Sequence, residues 1–277
     1  MPYQLQQIGG ALDRVGGVNV LREDPDLAWQ LLPAEAELAS RRAAASVVSL
    51  AKGVFWPHEQ FSPGRGDLGM LLLDGLLLKG ASVSDRPSIE VLGPGDLFLP
   101  FELEQDRYAT VSGDVRWWAL RPARVAVLDA SFTRRMSVYP EVVAELAGRL
   151  SRRSAASSLR LAIAQEARLS VRLHRTLWHL AERFGEAQAE GMWLRVPLCH
   201  GLLSWLVGAR RPAVSRAIAE LEQAGRLARR GDATWWLGGP PPGVGVDPTL
   251  VVDRTLADQG VAPALRSSPG RRRRAAA

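Results

Sequence analysis

Residues 207–227 read VGARRPAVSRAIAELEQAGRL, a stretch whose positive charge is concentrated at its first half. Its apolar residues recur at the i, i+4, i+7 spacing that lines one face of a helix: Val214, Ile218 and Leu221. On that helix Pro212 and Arg216 point to the opposite face. Between residues 210 and 230 six arginines stand against two acids, so the outward face begins positively charged. A helix of this kind suits phosphates and base edges.

Composition restricts the class of protein. The chain has 277 residues, of which 47% are hydrophobic, and we expect two domains with real cores. Its single cysteine, Cys199, argues against an internal disulfide framework, a thiolate zinc site and an iron–sulfur cluster built within one chain, and it fits a reducing compartment. The formal net charge is +6, but residues 271–274 supply four of the positive charges. The position of charge is therefore more informative than its total.

No membrane association is expected. The first ten residues, MPYQLQQIGG, lack a signal pattern, and the most apolar run, residues 70–78, is too short for a span and contains Asp74. We therefore expect a cytoplasmic protein.

Residues 47–129 consist of short apolar runs punctuated by glycine and proline, which is typical of an all-β roll or barrel. The expected turns are at Gly64 and Gly66, Asp74-Gly75, and Pro94-Gly95. Residues 1–45 are interpreted as mixed short helix and loop, with an amphipathic helix over 24–42 that Pro33 breaks.

The pattern becomes helical after Asp129, and Pro140 occupies a position that a first helical turn tolerates. A stripe at coiled-coil spacing follows, formed by Val143, Leu146, Leu150, Ser157, Leu161 and Ala164. The stripe is either buried on the roll of its own chain or paired with a second copy. A homodimer is favoured because so long a helix has more apolar surface than a small roll covers.

The C-terminal part is predicted to hold another helix, over residues 169–184, followed by two short helices, Cys199–Val207 and Arg211–Gln223. Gly208-Ala209 separates the short pair, as in a helix-turn-helix unit. Residues 226–237 then predict a β-hairpin that turns at Gly231-Asp232, which would be a wing. Beyond residue 238 the chain has no sustained pattern and is expected to be a basic disordered tail, removable without loss of fold.

A β-roll, a long dimer-type helix and a winged helix-turn-helix, in that order, resemble the Crp/Fnr family of bacterial transcription regulators over about residues 45–237. The similarity is most specific at LVGARRPAVSRAIAELEQAGRL, which resembles the family's L-V-G-x-S-R-x-T-V-S-R-x-L-x-x-L-E-x-x-G-x-L segment. The resemblance implies an α+β fold in five parts: an N-terminal extension (1–45), a sensor-like roll of the cyclic-nucleotide-binding type (46–135), a dimerisation helix (136–168), a winged helix-turn-helix (169–237) and the tail (238–277).

The resemblance also implies which residues bind DNA: His200, Arg210, Arg211, Pro212, Ser215, Arg216, Arg229 and Arg230. Of these, Arg211 and Arg216 would read bases in the major groove, and the two wing arginines would contact DNA beside it. His200 is either a phosphate contact at a helix start or an ordinary surface histidine. Implied partners are double-stranded DNA, a second copy of the chain and RNA polymerase.

The sequence departs from the family pattern at three helix-start positions. Arg210 stands where a serine usually caps the second helix, Cys199 where a threonine caps the first, and Ala213 where a threonine contacts phosphate. Because arginine caps poorly, the helix start is expected to lack a side-chain cap, while Arg210 adds a phosphate partner.

The family's usual cyclic nucleotide contacts are missing. Leu99-Pro100 stand where a Gly-Glu pair would hold the ribose, and Gly113-Asp114 stand where a pair with arginine would hold the phosphate. An aspartate repels phosphate, and leucine and proline side chains cannot hydrogen-bond a ribose. We therefore expect that the effector is not cyclic AMP and remains to be identified, with no cofactor and no metal. The alternative is a non-standard nucleotide pocket in which Arg107 binds the phosphate.

Two other function classes have specific sequence requirements. A cupin-like enzyme would need clustered histidines as metal ligands, and residues 47–129 contain only His58, so no enzymatic activity is expected. A protein-interaction module that uses the helix-turn-helix without DNA stays open, although the basic wing argues against it.

Overall fold

The computed structural model describes residues 13–55, 66–83, 86–99 and 113–242. The β-strands there are β1 (Asp13–Asn19), β2 (Ala44–Leu50), β3 (Gly53–Phe55), β4 (Gly69–Ser82), β5 (Ser88–Leu92), β6 (Leu97–Phe98), β7 (Asp114–Leu128), β8 (Gly185–Gln188), β9 (Gly191–Leu194), β10 (Leu227–Arg229) and β11 (Trp235–Gly238). The α-helices are α1 (Val20–Glu23), α2 (Pro33–Ser40), α3 (Ala130–Met136), α4 (Pro140–Ala164), α5 (Leu169–Phe184), α6 (His200–Leu206) and α7 (Arg211–Gln223), with 3₁₀ turns at Pro25–Ala28 and Gly231–Ala233. The predictions on His58, Gly64, Pro100, Arg107 and the tail from residue 243 lie outside the described residues.

The first sheet confirms the predicted roll. Its strands are all antiparallel and follow the order β1-β2-β7-β4-β5, with β3 paired to β7 and β6 paired to β4. Its interior is filled by large apolar side chains that include Trp117, Phe98, Leu72, Leu77 and Val125. The apolar runs of the sequence are therefore strands buried on the inner face of this roll.

The expected turn at Asp74-Gly75 is wrong. Both residues lie inside β4, where the register against β7 shifts between Leu72 and Leu76. Gly75 has a φ of +98°, and a Cβ atom there would lie 2.5 Å from the Cβ of Ala123. Glycine at this position therefore supplies a β-bulge that bends a long strand, and a bulge uses the same residue types as a turn.

The N-terminal segment is more ordered than its sequence pattern indicated. Strand β1 pairs with β2 although its sequence, DRVGGVN, contains two adjacent glycines. The helix expected over residues 24–42 is interrupted at Pro33, as predicted, but the part before the break is only a 3₁₀ turn at Pro25–Ala28, and α2 begins at Pro33 itself. Proline is well suited to a first helical turn because no backbone N–H is required there. Leu27 is buried against the roll.

Helix α4 begins at Pro140, as predicted, and its 25 residues span about 37 Å. The predicted stripe is divided between two surroundings. Leu146 is fully buried in the cluster that α4 forms with the roll, and Val143 and Leu150 pack against the same cluster. Leu161, in contrast, is 68% exposed. The first half of the predicted stripe therefore covers the roll of its own chain, which is the alternative that the pattern left open.

The C-terminal region contains a second antiparallel sheet, in the order β10-β11-β9-β8. The sequence predicted the wing strands β10 and β11 but missed the hairpin of β8 and β9, which lies between α5 and α6. In the part of the chain that the structure describes, none of the helices has the length and apolar character needed to cross a membrane.

Candidate DNA-binding interface

Helices α6 and α7 form the predicted helix-turn-helix. The turn between them passes through Gly208, whose φ of +62° is in the left-handed region that glycine tolerates best. Helix α7 buries Val214, Ile218 and Leu221, as the spacing predicted, against α5 and the second sheet. Its opposite face is therefore directed away from the core.

The start of α7 has no side-chain cap, as expected. Arg210 is in the extended conformation of an N-cap residue, but its side chain accepts no hydrogen bond from the helix. Pro212 lies in the first turn, where its missing N–H costs nothing. Cys199 at the start of α6 also provides no side-chain cap. The positive end of the α7 dipole is thus directed towards the same region as the arginines.

The arginines predicted to contact DNA are all exposed: Arg210, Arg211, Arg216, Arg229 and Arg230. Within the described part of the chain none of these five side chains forms an ion pair or a side-chain hydrogen bond. The arginines of α4 differ, since Arg149 pairs with Asp24, Arg152 with Glu145, and Arg153 with Glu90. The cations on the outward face of the helix-turn-helix are therefore available to an external anion.

His200 connects the first helix of the motif to the second. Its Nδ1 lies 3.0 Å from the Ser215 Oγ on α7, and its ring lies beside that of Trp235, with centroids 6.1 Å apart. Burial lowers the pKa of His200, the positive charges of Arg229 and Arg211 lower it further, and Glu222 raises it. Because both guanidinium groups act on one imidazole, the wing and the start of α7 lie within electrostatic reach of each other.

The wing is held by the second sheet. Trp235 of β11 is fully buried, and its Nε1 donates a hydrogen bond to the Leu198 carbonyl at 2.8 Å. The next residue, Trp236, pairs across the strands with Trp193 of the missed hairpin. Arg195 stacks on the Trp193 ring at 4.2 Å from its centroid. The wing arginines thus extend from a four-stranded sheet rather than from an isolated hairpin.

The helix-turn-helix also packs on the roll. The ring centroids of Trp118 on β7 and Trp205 on α6 are 6.1 Å apart. At the end of α5, Arg183 donates to the Asp96 carboxylate at 2.7 Å, and Asp96 also accepts from the Gly93 N–H. One apolar cluster is shared by roll strands and by α5, α6 and α7. These contacts fix the orientation of α7 relative to the roll.

A cavity of about 510 Å³ lies between the roll and α4. Its lining includes Leu99, Arg160 and the bidentate pair in which Arg153 donates to Glu90 at 2.9 Å. Asp114, at one of the positions expected for phosphate recognition, is exposed and pairs with Arg116. Among the described residues no group of three or more His, Cys, Asp and Glu side chains could hold a metal ion.

The outer face of α4 is formed mainly by small residues that the roll does not cover: Ala144, Ala147, Ser151, Ala155, Ser158 and Ala162. Leu159 and Leu161 flank this open α4 face and are 47% and 68% exposed. The open α4 face lies on a different side of the helix from the predicted stripe, because the large apolar residues of α4 face the roll.

Comparison with known proteins agrees with this architecture. Residues 171–235 match the family model described as the Crp-like helix-turn-helix domain. Over 73 residues the chain is 36% identical to the regulatory protein CysR of Synechococcus elongatus, a match that covers 25% of this chain and 35% of CysR. The matched segment thus spans about a third of the length of that relative.

Two solved structures share the fold. A cyclic nucleotide-binding domain containing protein from Listeria monocytogenes has a TM-score of 0.56 at 13% identity, over 77% of this chain and 96% of that one. A CRP/FNR family transcriptional regulator from Thermus thermophilus has a TM-score of 0.50 at 23% identity, over 76% of this chain and 98% of that one. The chain therefore carries a Crp-like helix-turn-helix domain at residues 171–235 and has the fold of the Crp/Fnr family of transcription regulators.

Proposed function

We propose that this protein is a transcription regulator, without enzymatic activity, that binds double-stranded DNA through α7 and the wing. The observation that carries the proposal is the set of exposed arginines on the outward face, which have no carboxylate partner among the described residues. Clustered guanidinium groups repel one another, and DNA phosphates placed between them would neutralise this repulsion. The same contacts would release counterions condensed on the DNA, which favours binding. CysR, whose name describes a regulatory protein, supports the same class.

The docking geometry follows from the exposed face of α7. Arg211 and Ser215 are four residues apart on one row of the helix surface, and Pro212 and Arg216 form the adjacent row. The N-terminal half of α7 enters the major groove, where Arg211 and Arg216 each donate two hydrogen bonds to a guanine. Arg210 and the wing arginines contact phosphates. RNA polymerase is a proposed partner on the family resemblance alone.

The proposed assembly is a homodimer in which the open α4 faces of two copies meet. Small side chains let two helices approach closely, and Leu159 and Leu161 would be removed from water in the contact. A two-fold dimer presents two copies of α7 about one DNA turn apart, so the site is a palindrome with half-site centres about 10 base pairs apart.

The wing arginines give a direct test of DNA binding. Arg230→Ala removes one exposed cation and should weaken binding to all sequences alike, and it should lower the slope of log K against log salt by about 1 per subunit. Fluorescence anisotropy at several salt concentrations measures both quantities. Arg41→Ala is the control, because Arg41 is exposed, belongs to the N-terminal segment and pairs with Glu37. If the two variants had the same salt slope as the wild type, the wing would not contact phosphate. Failure of the wild type to bind DNA at low salt would instead favour a protein-interaction module.

The roll is proposed to take an effector other than a cyclic nucleotide. Calorimetry should therefore detect no micromolar binding of cyclic AMP or cyclic GMP. The physical reason is that the described contact positions, Leu99 and Asp114, offer an apolar side chain and a negative charge instead of ribose and phosphate partners. Micromolar binding that Arg107→Ala abolishes would show that the alternative, non-standard pocket is correct.

A further inference from the structure

The hydrogen bond between His200 and Ser215 places a titratable group directly behind the proposed DNA-reading face. Ser215 lies one helical turn after Arg211 and next to Arg216, and its hydroxyl is half-buried. The two partners are 15 residues apart and belong to different helices of the motif. The bond therefore exists only when α6 and α7 are assembled.

The His200 imidazole packs beside the ring of Trp235. The Trp235 ring beside it is fully buried and is fixed by the hydrogen bond that its Nε1 donates to Leu198. This ring bounds one side of the His200 imidazole.

The direction of this hydrogen bond depends on the proton at Nδ1 of His200. When Nδ1 carries no proton, the Ser215 hydroxyl donates to it, and only oxygen lone pairs of Ser215 are left for a ligand. When Nδ1 carries a proton, it donates to the Ser215 oxygen, and the hydroxyl hydrogen is free to point outward. A serine in the second state can donate to a phosphate oxygen or to N7 or O6 of guanine, which accept hydrogen bonds.

The surroundings favour the neutral imidazole in the free protein, and Nδ1 then accepts from Ser215 when the single ring proton is on Nε2. Burial is the largest cause that lowers the pKa of His200, followed by the positive charges of Arg229 on β10 and Arg211 on α7, while Glu222 on α7 raises it. DNA phosphates near those arginines would offset their positive charge. Acceptor atoms of the DNA that take a hydrogen bond from the Ser215 hydroxyl would also favour the protonated imidazole, because Nδ1 must then donate to Ser215. The pKa of His200 should therefore be higher in the complex than in the free protein.

We infer that His200 is a positioning residue that couples DNA binding to the uptake of a proton, by converting Ser215 into a hydrogen-bond donor towards the DNA. The inference rests on the proposed function, because it needs DNA at the α7 face. It adds a dependence on pH and a role for Ser215 that arginine contacts alone do not supply.

The sign of the effect follows from proton linkage. A group whose pKa is higher in the complex contributes its full binding advantage below its pKa in the free protein and loses that advantage as pH rises through its pKa in the complex. The unperturbed value for histidine is about 6.5, and the pKa in the free protein lies below it. Affinity should therefore increase as pH falls from about 8 to 6, with a limiting slope of one proton per subunit.

Anisotropy titrations of the full chain with its selected DNA site, at fixed salt between pH 5.5 and 8, test this. The wild type should bind at least about threefold more tightly per pH unit in the steepest part. His200→Gln should bind with an affinity that does not change with pH, whereas His179→Gln, which changes a histidine of α5 next to Glu182, should keep the wild-type slope. Ser215→Ala should lose most of the slope, because the serine is the group through which His200 acts.

The outcomes separate the inference from the proposed function. A wild type that binds DNA equally well at every pH overturns the inference alone, and so does Ser215→Ala with the full slope, since His200 would then act on phosphate directly. A wild type that binds no DNA at any pH overturns both. If a variant fails to fold, the ring resonances of His200 in the wild type, followed by NMR with and without DNA, measure the same coupling. They should show a higher pKa in the complex.

Discussion

Replacing Ala155 by arginine should leave the protein folded but monomeric, and it should lower affinity for a palindromic site by about 100-fold or more. Ala155 is exposed at the middle of the open α4 face. In a two-fold dimer the same residue of each copy lies near the symmetry axis, so two added cations would face each other. The loss is large because a monomer engages only one half-site, and the second half-site no longer benefits from a high effective concentration.

Sedimentation measures the oligomeric state, and anisotropy measures the affinity. Ala34→Arg is the matched control, because it adds the same charge at an exposed position of α2. Leu146→Ala should have the opposite result, since Leu146 is fully buried against the roll. It should lower the free energy of unfolding by about 2–5 kcal/mol without changing the open α4 face. A dimeric Ala155→Arg protein would show that α4 is not the contact.

The helix-turn-helix could be predicted almost to the residue. The bounds of α7 agree with the prediction, and those of α6 differ by one residue at each end. The reason is local: an amphipathic repeat, a glycine in the turn and a proline in the first turn all act within a few residues of one another. The residues that α7 buries are therefore decided by its own sequence.

The environment of α4 could not be predicted in the same way. Periodicity shows that a helix has an apolar stripe, but it does not show what covers the stripe. Leu146 and Leu150 face the roll because segments distant in the sequence, such as Leu27, complete the same cluster. The open α4 face, which the roll does not cover, consists mainly of alanine and serine. These residue types carry little signal in a hydrophobicity pattern.

Two further differences have specific physical causes. The sequence at Asp74-Gly75 is typical of a turn and of a bulge alike, and only the pairing of β4 with β7 distinguishes them. The hairpin of β8 and β9 has little signal in the sequence because its strands are only four residues long and bury one residue between them, Leu194. The hydrogen bond from α6 to Ser215 has no local signal, since it depends on how two helices cross.

The second large effect is expected at Arg216. Arg216→Ala should weaken binding by about 1–3 kcal/mol per half-site, which is about 5- to 150-fold. It should also relax the preference at one base pair of each half-site, because the guanidinium fork that donates to O6 and N7 of guanine is lost. Arg211→Ala should have the same kind of effect at a different base pair, since the two side chains lie on adjacent rows of α7.

A randomised site library selected at one fixed salt concentration measures both the motif and its strength. The wild type should recover a two-fold palindrome with half-site centres about 10 base pairs apart. Arg168→Ala is the matched control, because Arg168 is exposed and already paired with Glu220, so its loss should leave the motif unchanged. An unchanged motif from Arg216→Ala would mean that this arginine contacts only phosphate. In that case sequence preference would have to come from Arg211, from Ser215 or from the shape of the DNA, because those are the remaining means by which this face of α7 can distinguish one sequence from another.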